Sequence, residues 1–448
     1  VVRFLTIIVM SLTALSLDVW FRMVCGVSKK MSFLLSLSMV TLPPFQIYVH
    51  WMNSYPMAVA ILLSVCSAIV LLKPRNSDKV ELEFRTFSSW RTEHGHTRYF
   101  ELLKNVEQKF PVGVLLSFFL LMISLLIYQP AAPFFVALLT FWLIGLDSRS
   151  LSKVTWPLLH LIIFIITMGV YLFVFKMVVP VSAMGEQSVY SNALVSNYTE
   201  KLLWIFREPM IAILNVWNVF PSRAVASIIL LIIVSGVMLE FIHCLKSDDH
   251  RKFVLMRNFL WKYSAMIVFI FLSSGVVLAI KSADGMLYRA AAPQTAIIFF
   301  LVWHSIKNIF STFVKKEKGE IALTFILFLM VVAGMFMAHH TFKKYCVDVN
   351  TWELKHIESE LSQKYNPQIK TIHVIRPAGV SSTDVKMMDE FGYTTCFFPT
   401  DVPWLVKAAI QEKGIYIHNR QELMVTTGTE EVITQDPHVL TINLRRMH

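Results

Sequence analysis

The stretch with the most chemical potential is residues 281–293, KSADGMLYRAAAP, a short polar break between two strongly apolar runs. Arg289 stands at the mouth of the second run. Asp284 and Tyr288 precede it, and Pro293 follows within about one helical turn. A proline in a first helical turn loses no hydrogen bond, because those N–H groups have no partner inside the helix. The unpaired donors and the helix dipole favour an anion there, and the Arg289 guanidinium adds a fixed charge that grips phosphate at two points. Two readings fit. Arg289 and Tyr288 hold the phosphate of a phosphorylated lipid, or Arg289 anchors the helix among lipid headgroups.

Two further stretches carry polar groups in suggestive places. In LPPFQIYVHW, residues 42–51, Pro43 and Pro44 break or kink an apolar helix. The freed carbonyls, with Gln46 and His50, would face a cavity more readily than lipid, as a lining for a headgroup or sugar. The plainer reading is a packing kink capped by interfacial Tyr48 and Trp51. In the tail, Asp389 and Glu390 precede Phe391 and a turn glycine, Gly392. The adjacent carboxylates would bind a divalent cation or orient sugar hydroxyls, or they are surface residues at a helix end. His339 and His340 point in different directions on a helix and make a poor metal pair. Asn197-Tyr198-Thr199 fits a glycosylation sequon, which matters only where that machinery exists. There is no phosphate-binding glycine loop, nucleophile elbow or HExxH motif.

The elements that must position these residues are set by composition. The 448 residues are 55% hydrophobic and only 16% charged, which excludes an ordinary soluble domain. Ten apolar runs fit bilayer-spanning helices, and no alternating pattern suggests a barrel. They cover residues 1–17, 31–49, 56–72, 111–128, 132–146, 154–175, 224–245, 263–280, 290–310 and 322–338. The net charge of +11 does not indicate nucleic acid, because most Lys and Arg lie in the loops between runs. Cys25, Cys66, Cys244, Cys346 and Cys396 form no CxxC pair, so no zinc site is predicted.

Positive charge alternates along the chain. The loops after the first, third, fifth, seventh and ninth runs are basic. The positive-inside rule places them in the cytoplasm and puts residues 281–293 and the tail outside. The predicted organisation is a transmembrane helical domain over residues 1–340, with a basic cytoplasmic loop at 73–110 and an external interfacial segment at 176–223. Residues 202–220 of that segment read as an amphipathic interfacial helix. Residues 341–448 form a small external α/β domain, with helices at 353–365 and 402–411 and strands at 369–375 and 439–444. Cys346 and Cys396 both fall in it, and a disulfide there needs an oxidising compartment. Few charges fall inside the apolar runs. The chain starts Val-Val, and a missing upstream helix and external loop are expected.

Taken together, LPPFQIYVHW, the Tyr288-Arg289 pair and the Asp389-Glu390-Phe391-Gly392 motif in an outer α/β tail resemble the Gtr-type membrane glucosyltransferases of O-antigen serotype conversion. The similarity covers most of the chain as a pattern of helices, and its motifs are short. The resemblance implies a GT-C-like architecture of about ten transmembrane helices in a bacterial inner membrane. It implies transfer of a sugar, glucose in that family, from a polyprenyl-phosphate carrier to a cell-surface glycan at the outer face. An external carboxylate would act as base on the acceptor hydroxyl, and Arg289 matches the partner of the donor phosphate. The base of that class lies in the first external loop, which is expected upstream of Val1. Asp284 is the nearest internal candidate. The partners implied are the lipid-linked sugar, the acceptor glycan and the bilayer, with no nucleic acid. Two other classes compete: a transporter or flippase for a lipid-linked glycan, and a non-catalytic membrane subunit.

Overall fold

The computed structural model describes residues 2–50, 55–71, 110–145, 155–178, 197–207, 209–214, 223–246, 249–274, 291–343, 347–376, 402–415, 423–428 and 436–444. The chain divides into two compact units, Val1–Met335 and Phe336–His448.

The first unit is helical. Its elements are α1 (Val2–Met23), α2 (Lys29–Val40), α3 (Pro43–His50), α4 (Tyr55–Val70), α5 (Phe110–Ile127), α6 (Phe134–Gly145), α7 (Thr155–Val178), α8 (Tyr198–Arg207), α9 (Pro209–Leu214), α10 (Arg223–Leu245), α11 (Asp249–Ser273), α12 (Ala292–Phe313) and α13 (Lys316–Phe342). Among the described residues, six stretches are long and apolar enough to cross a membrane: Phe4–Met23, Leu158–Phe175, Ala224–Leu245, Lys252–Ser273, Ala292–Phe313 and Glu317–Phe336. Tyr55–Val70, Val112–Ile127 and Gln129–Gly145 are shorter apolar helices. Large apolar side chains such as Phe173, Leu231 and Phe325 stand exposed on these helices. Water would not tolerate that much apolar surface, whereas lipid would. The architecture is that of a mostly helical chain compatible with a polytopic membrane protein.

Helix pairs in such a bundle are held by close packing and hydrogen bonds between helices, since lipid supplies no hydrophobic drive. Both appear. On α4, small residues let α5 approach, and Ser64 Oγ lies 2.9 Å from Ser124 Oγ while Ser67 Oγ lies 2.7 Å from Ser117 Oγ. Ser124 Oγ also donates to Ala60 O at 2.8 Å. At the end of α1, Asp18 accepts from Ser32 Oγ of α2 at 2.6 Å and from Arg22 Nη2 at 2.7 Å, which fixes the α1–α2 hairpin. An aromatic cluster fills the centre: Phe300 of α12 packs on Phe21 of α1 at 5.4 Å and on Phe141 of α6 at 4.7 Å between ring centroids.

The second apolar run is two helices, as the break read at Pro43 and Pro44 predicts, because these residues lack the N–H groups that would continue α2. One sequence expectation changes. The basic stretch before residue 263 is not a loop. Residues 249–262 contain neither Gly nor Pro, and α11 runs through them from Asp249. The amphipathic segment is α8 followed by α9, which starts at Pro209. Asn197 caps α8: its Oδ1 accepts from Glu200 N at 3.2 Å, and Glu200 Oε2 accepts from Asn197 Nδ2 at 3.3 Å. The sequon asparagine therefore has a structural use. Lys201, one turn on, lays its ammonium 4.0 Å from the Trp204 ring centroid, and burial pushes its pKa below the ordinary lysine value.

In the second unit, α14 (Asp348–Lys364) leads to β1 (Thr371–Ile375), then α15 (Val402–Glu412), β2 (Met424–Gly428) and β3 (Val439–Asn443). The strands form a parallel sheet of order β2-β1-β3, with Ile372 opposite Val425 on one side and Leu440 on the other. Ile372, Val374, Leu440 and Ile442 pack on Ile357, Leu361, Val406 and Ala409 of α14 and α15. Parallel strands need crossovers, and α15 serves as the one between β1 and β2. The sequence reading finds both helices and two strands but not β2, whose residues MVTTG include none fully buried.

Among the described glycines, the closest approach to a neighbouring helix is at Gly236, between α10 and α12. A Cβ placed on Gly236 would lie 2.4 Å from both Cα and Cβ of Ser305. Gly236→Ala is expected to lower stability by about 2 kcal/mol, read as a fall in thermal unfolding temperature in lipid or detergent. Ser305→Gly in the same chain should restore only part of the loss, because the Ser305 Cα remains in place. An unchanged melting temperature would show that the two helices do not pack at this level.

Candidate functional site

Where α10, α11 and α12 meet, each contributes an ionisable side chain to one cluster. Glu240 comes from the last turns of α10, Lys262 and Tyr263 from the middle of α11, and His304 from the middle of α12. Lys262 Nζ donates to Glu240 Oε1 at 2.8 Å, and Tyr263 OH donates to Glu240 Oε2 at 2.8 Å. His304 Nε2 lies 3.2 Å from the same Oε2, and Asn308 Nδ2 lies 3.1 Å from His304 Nε2. The side chains are largely shielded: 19% of Glu240, 9% of Lys262 and 13% of His304 remain exposed.

Helix geometry explains why these residues converge. Lys262 and Tyr263 are sequence neighbours on α11, yet both reach the two oxygens of one carboxylate, because the lysine stem is long enough to wrap back. His304 and Asn308 are one turn apart on α12 and share a face. A carboxylate offers several lone pairs, and two donors on Glu240, Lys262 Nζ and Tyr263 OH, with His304 beside them, suit a charge removed from water. An ionisable residue inside a membrane bundle is expensive unless paired, and this one is paired from two other helices.

The break at Pro43 and Pro44 is a second polar place. Phe45 N and Gln46 N both donate to Leu42 O, at 2.9 and 3.1 Å, so the break leaves Thr41 O without a backbone donor from α3. Gln46 Nε2 donates to Thr41 O instead, and lies 3.5 Å from Gly334 O of α13. The amide of Gln46 thus repairs the helix break and touches a neighbouring helix. Its buried Oε1 has no hydrogen-bond partner among the described residues. His50 belongs to α3, and its side chain lies outside the described residues.

The third place brackets the 281–293 stretch. Asp284, Tyr288 and Arg289 lie outside the described residues, as do Asp389 and Glu390, both cysteines of the tail and the basic segment 73–109. The two flanks of that stretch are described, and they are tied together. Gln294, in the first turn of α12, donates through Nε2 to Ser273 O at 2.6 Å and approaches Ser274 Oγ at 3.1 Å, both at the end of α11. Gln294 is 2% exposed, and its Oε1 and the neighbouring Thr295 Oγ1 are buried without a hydrogen-bond partner among the described residues.

The sequence expectation of few charges within the apolar runs needs correcting in its consequence. Glu240 and His304 sit inside separate apolar runs that hold few other acidic or basic side chains (His243 in the first, Lys307 in the second), with Lys262 at the edge of a third. Charges in long apolar runs are a readable signal, but their pairing across three helices is not. Among the described residues no three His, Cys, Asp or Glu side chains gather in a metal-binding arrangement. Comparison with protein-family models, characterised proteins and solved structures finds no match to this chain.

Removing one member of a buried ion pair strands the other, whereas removing both together is far milder. Glu240→Leu is expected to destabilise the bundle by about 3 kcal/mol, and the double variant Glu240→Leu/Lys262→Met by much less. Thermal unfolding of the two singles and the double in bilayers checks this. Additive losses would mean that the two side chains do not depend on each other.

Proposed function

We propose that this protein is a multispanning membrane glycosyltransferase. It takes a sugar, glucose by the family resemblance, from a polyprenyl-phosphate carrier and passes it to a cell-surface glycan at the outer face of a bacterial cytoplasmic membrane. In this reading about ten helices span the bilayer in a GT-C-like arrangement, and the C-terminal α/β unit stands outside.

The observation that carries the reading is the clamp at the start of α12. Gln294 ties that first turn to Ser273 and Ser274, so the described ends that bracket the polar stretch containing Asp284, Tyr288 and Arg289 are held together. The second of these ends is the N-terminus of a long helix, where free N–H groups favour an anion. Arg289 just before that helix would neutralise the lipid phosphate as it leaves. Tyr288 would donate to a phosphate oxygen, and Asp284 would be the nearest carboxylate to an acceptor hydroxyl. Gln46 and His50 would line the sugar cavity. Asp389 and Glu390 would orient sugar hydroxyls or hold a divalent cation.

A second reading is a transporter for a lipid-linked glycan. It is favoured by Glu240, Lys262 and His304, which bring charge from three candidate spans to one place, as membrane transport pathways do.

Arg289→Ala is expected to weaken binding of a polyprenyl-phosphate sugar about tenfold or more, with the unfolding temperature unchanged. Equilibrium binding to the full chain in nanodiscs measures this, and equal affinity would remove Arg289 from the phosphate role. A cysteine at exposed Trp352, in α14, should react with an impermeant thiol reagent on intact cells. Labelling only after lysis would reverse the topology and place sugar transfer on the wrong side of this unit.

A further inference from the structure

The cluster on α10, α11 and α12 has one bonding position too few. His304 Nε2 faces both Glu240 Oε2 at 3.2 Å and Asn308 Nδ2 at 3.1 Å. A ring nitrogen carries a hydrogen or a lone pair, never both. The Glu240 carboxylate needs a hydrogen on Nε2, whereas the Asn308 amide N–H needs a lone pair there. Only one of these two contacts is a hydrogen bond at any moment. Asn308 follows His304 by one helical turn, so it stays within reach whichever way the ring bonds.

We propose that His304 and Glu240 form a proton-binding site inside the helical bundle, in which a proton arriving on His304 Nε2 moves the ring's hydrogen bond from Asn308 to Glu240. In the unloaded state the neutral ring holds its hydrogen on Nδ1, and the Nε2 lone pair accepts from Asn308. Glu240 is then an anion held by Lys262 and Tyr263. A proton donated by water or another carrier forms one new bond, to Nε2, and no other covalent bond in the protein changes. The resulting imidazolium donates from Nε2 to Glu240 Oε2 and releases the Asn308 amide. The cluster gains one positive charge, which the Glu240 carboxylate faces.

The surroundings suit this exchange. From α10 the ring is faced by Glu240, with Cys244 one turn further on, and from α11 by Lys262 and Tyr263. On its own helix, Lys307 acts on the ring electrostatically, and Lys307 in turn interacts with Cys25, in the turn after α1, and Glu320 of α13. Of the other helices packed on α12, α6 over Phe134–Gly145 and α9 over Pro209–Leu214 carry no titratable side chain, and α3 over Pro43–His50 carries Tyr48 and His50. Lys262 matters most for reversibility. It keeps Glu240 ionised without the proton, so the carboxylate does not have to be neutralised before the ring can release its charge. A cluster built only as a clamp would give each donor its own acceptor. Here one nitrogen is claimed by a donor and an acceptor. The inference stands whether the protein transfers sugar or transports it.

The test is nitrogen-15 NMR of the full chain with labelled histidine in lipid bilayers. The signal lost in His304→Gln identifies the ring among the 14 histidines. As the pH is lowered from about 9 to about 3, its Nε2 signal is expected to pass from the lone-pair form to the protonated form. Glu240→Gln removes the facing negative charge and should lower the ring's proton affinity about tenfold. Asn308→Ala keeps every charge, removes the competing donor and should raise that affinity, so it decides the matter even if the Glu240 variant fails to fold. An Nε2 that keeps its hydrogen, or its lone pair, across the whole range would overturn the proposal, and so would a titration unmoved by Asn308→Ala.

Discussion

A charge inside an apolar bundle must find its partners on other helices, and this constraint organises the centre of the molecule. Glu240 accepts from Lys262 and Tyr263 of α11 and faces His304 of α12. With those contacts made, α10 has little freedom to rotate or slide, because any shift strands a carboxylate or an ammonium in hydrocarbon. The close approach of Gly236 to Ser305 follows from the same fit. A side chain larger than hydrogen at 236 would hold the helices apart and lengthen the contact of Glu240 with His304. Packing and charge pairing support each other at this junction.

Elsewhere the bundle answers the same demand with neutral groups. The paired serines between α4 and α5 give each hydroxyl an acceptor on the opposite helix. At the proline break, Gln46 supplies a side-chain N–H to the Thr41 carbonyl that the backbone leaves unmet. Gln294 does the same between α12 and α11, with Ser273 O as the acceptor. In each place a helix irregularity or a polar side chain is satisfied within protein, as an environment without water requires. Gln46 Oε1 and Gln294 Oε1 are left as buried acceptors without a hydrogen-bond partner among the described residues.

Much of the architecture was legible because apolar length and turn chemistry are local. The described part of each apolar run is mainly helical, the two prolines split the second run, and α14, α15, β1 and β3 fall close to their predicted ranges. What escaped was non-local. Residues 249–262 look like a basic loop by charge, yet nothing in them breaks a helix. The short strand β2 owes its existence to pairing with β1 more than to its own sequence. The Glu240 cluster was hidden because its members stand in three separate runs, and only the folded bundle pairs them. Of the candidate site residues, Gln46 is the one whose side chain the structure describes. It proves to serve the helix break, with half its amide left over.

The account rests most heavily on α10 and α12 packing at the level of Ser305, since that contact gathers the charged junction. Ser305 Oγ lies 3.4 Å from Ile233 O. The direct measurement is oxidative cross-linking in intact membranes of a chain carrying Ile233→Cys and Ser305→Cys, with the five natural cysteines replaced by serine. The account predicts an efficient intramolecular cross-link that disappears when the second cysteine is moved to exposed Phe313. Absence of the cross-link at 233 and 305, or its equal formation at both positions, would contradict the junction.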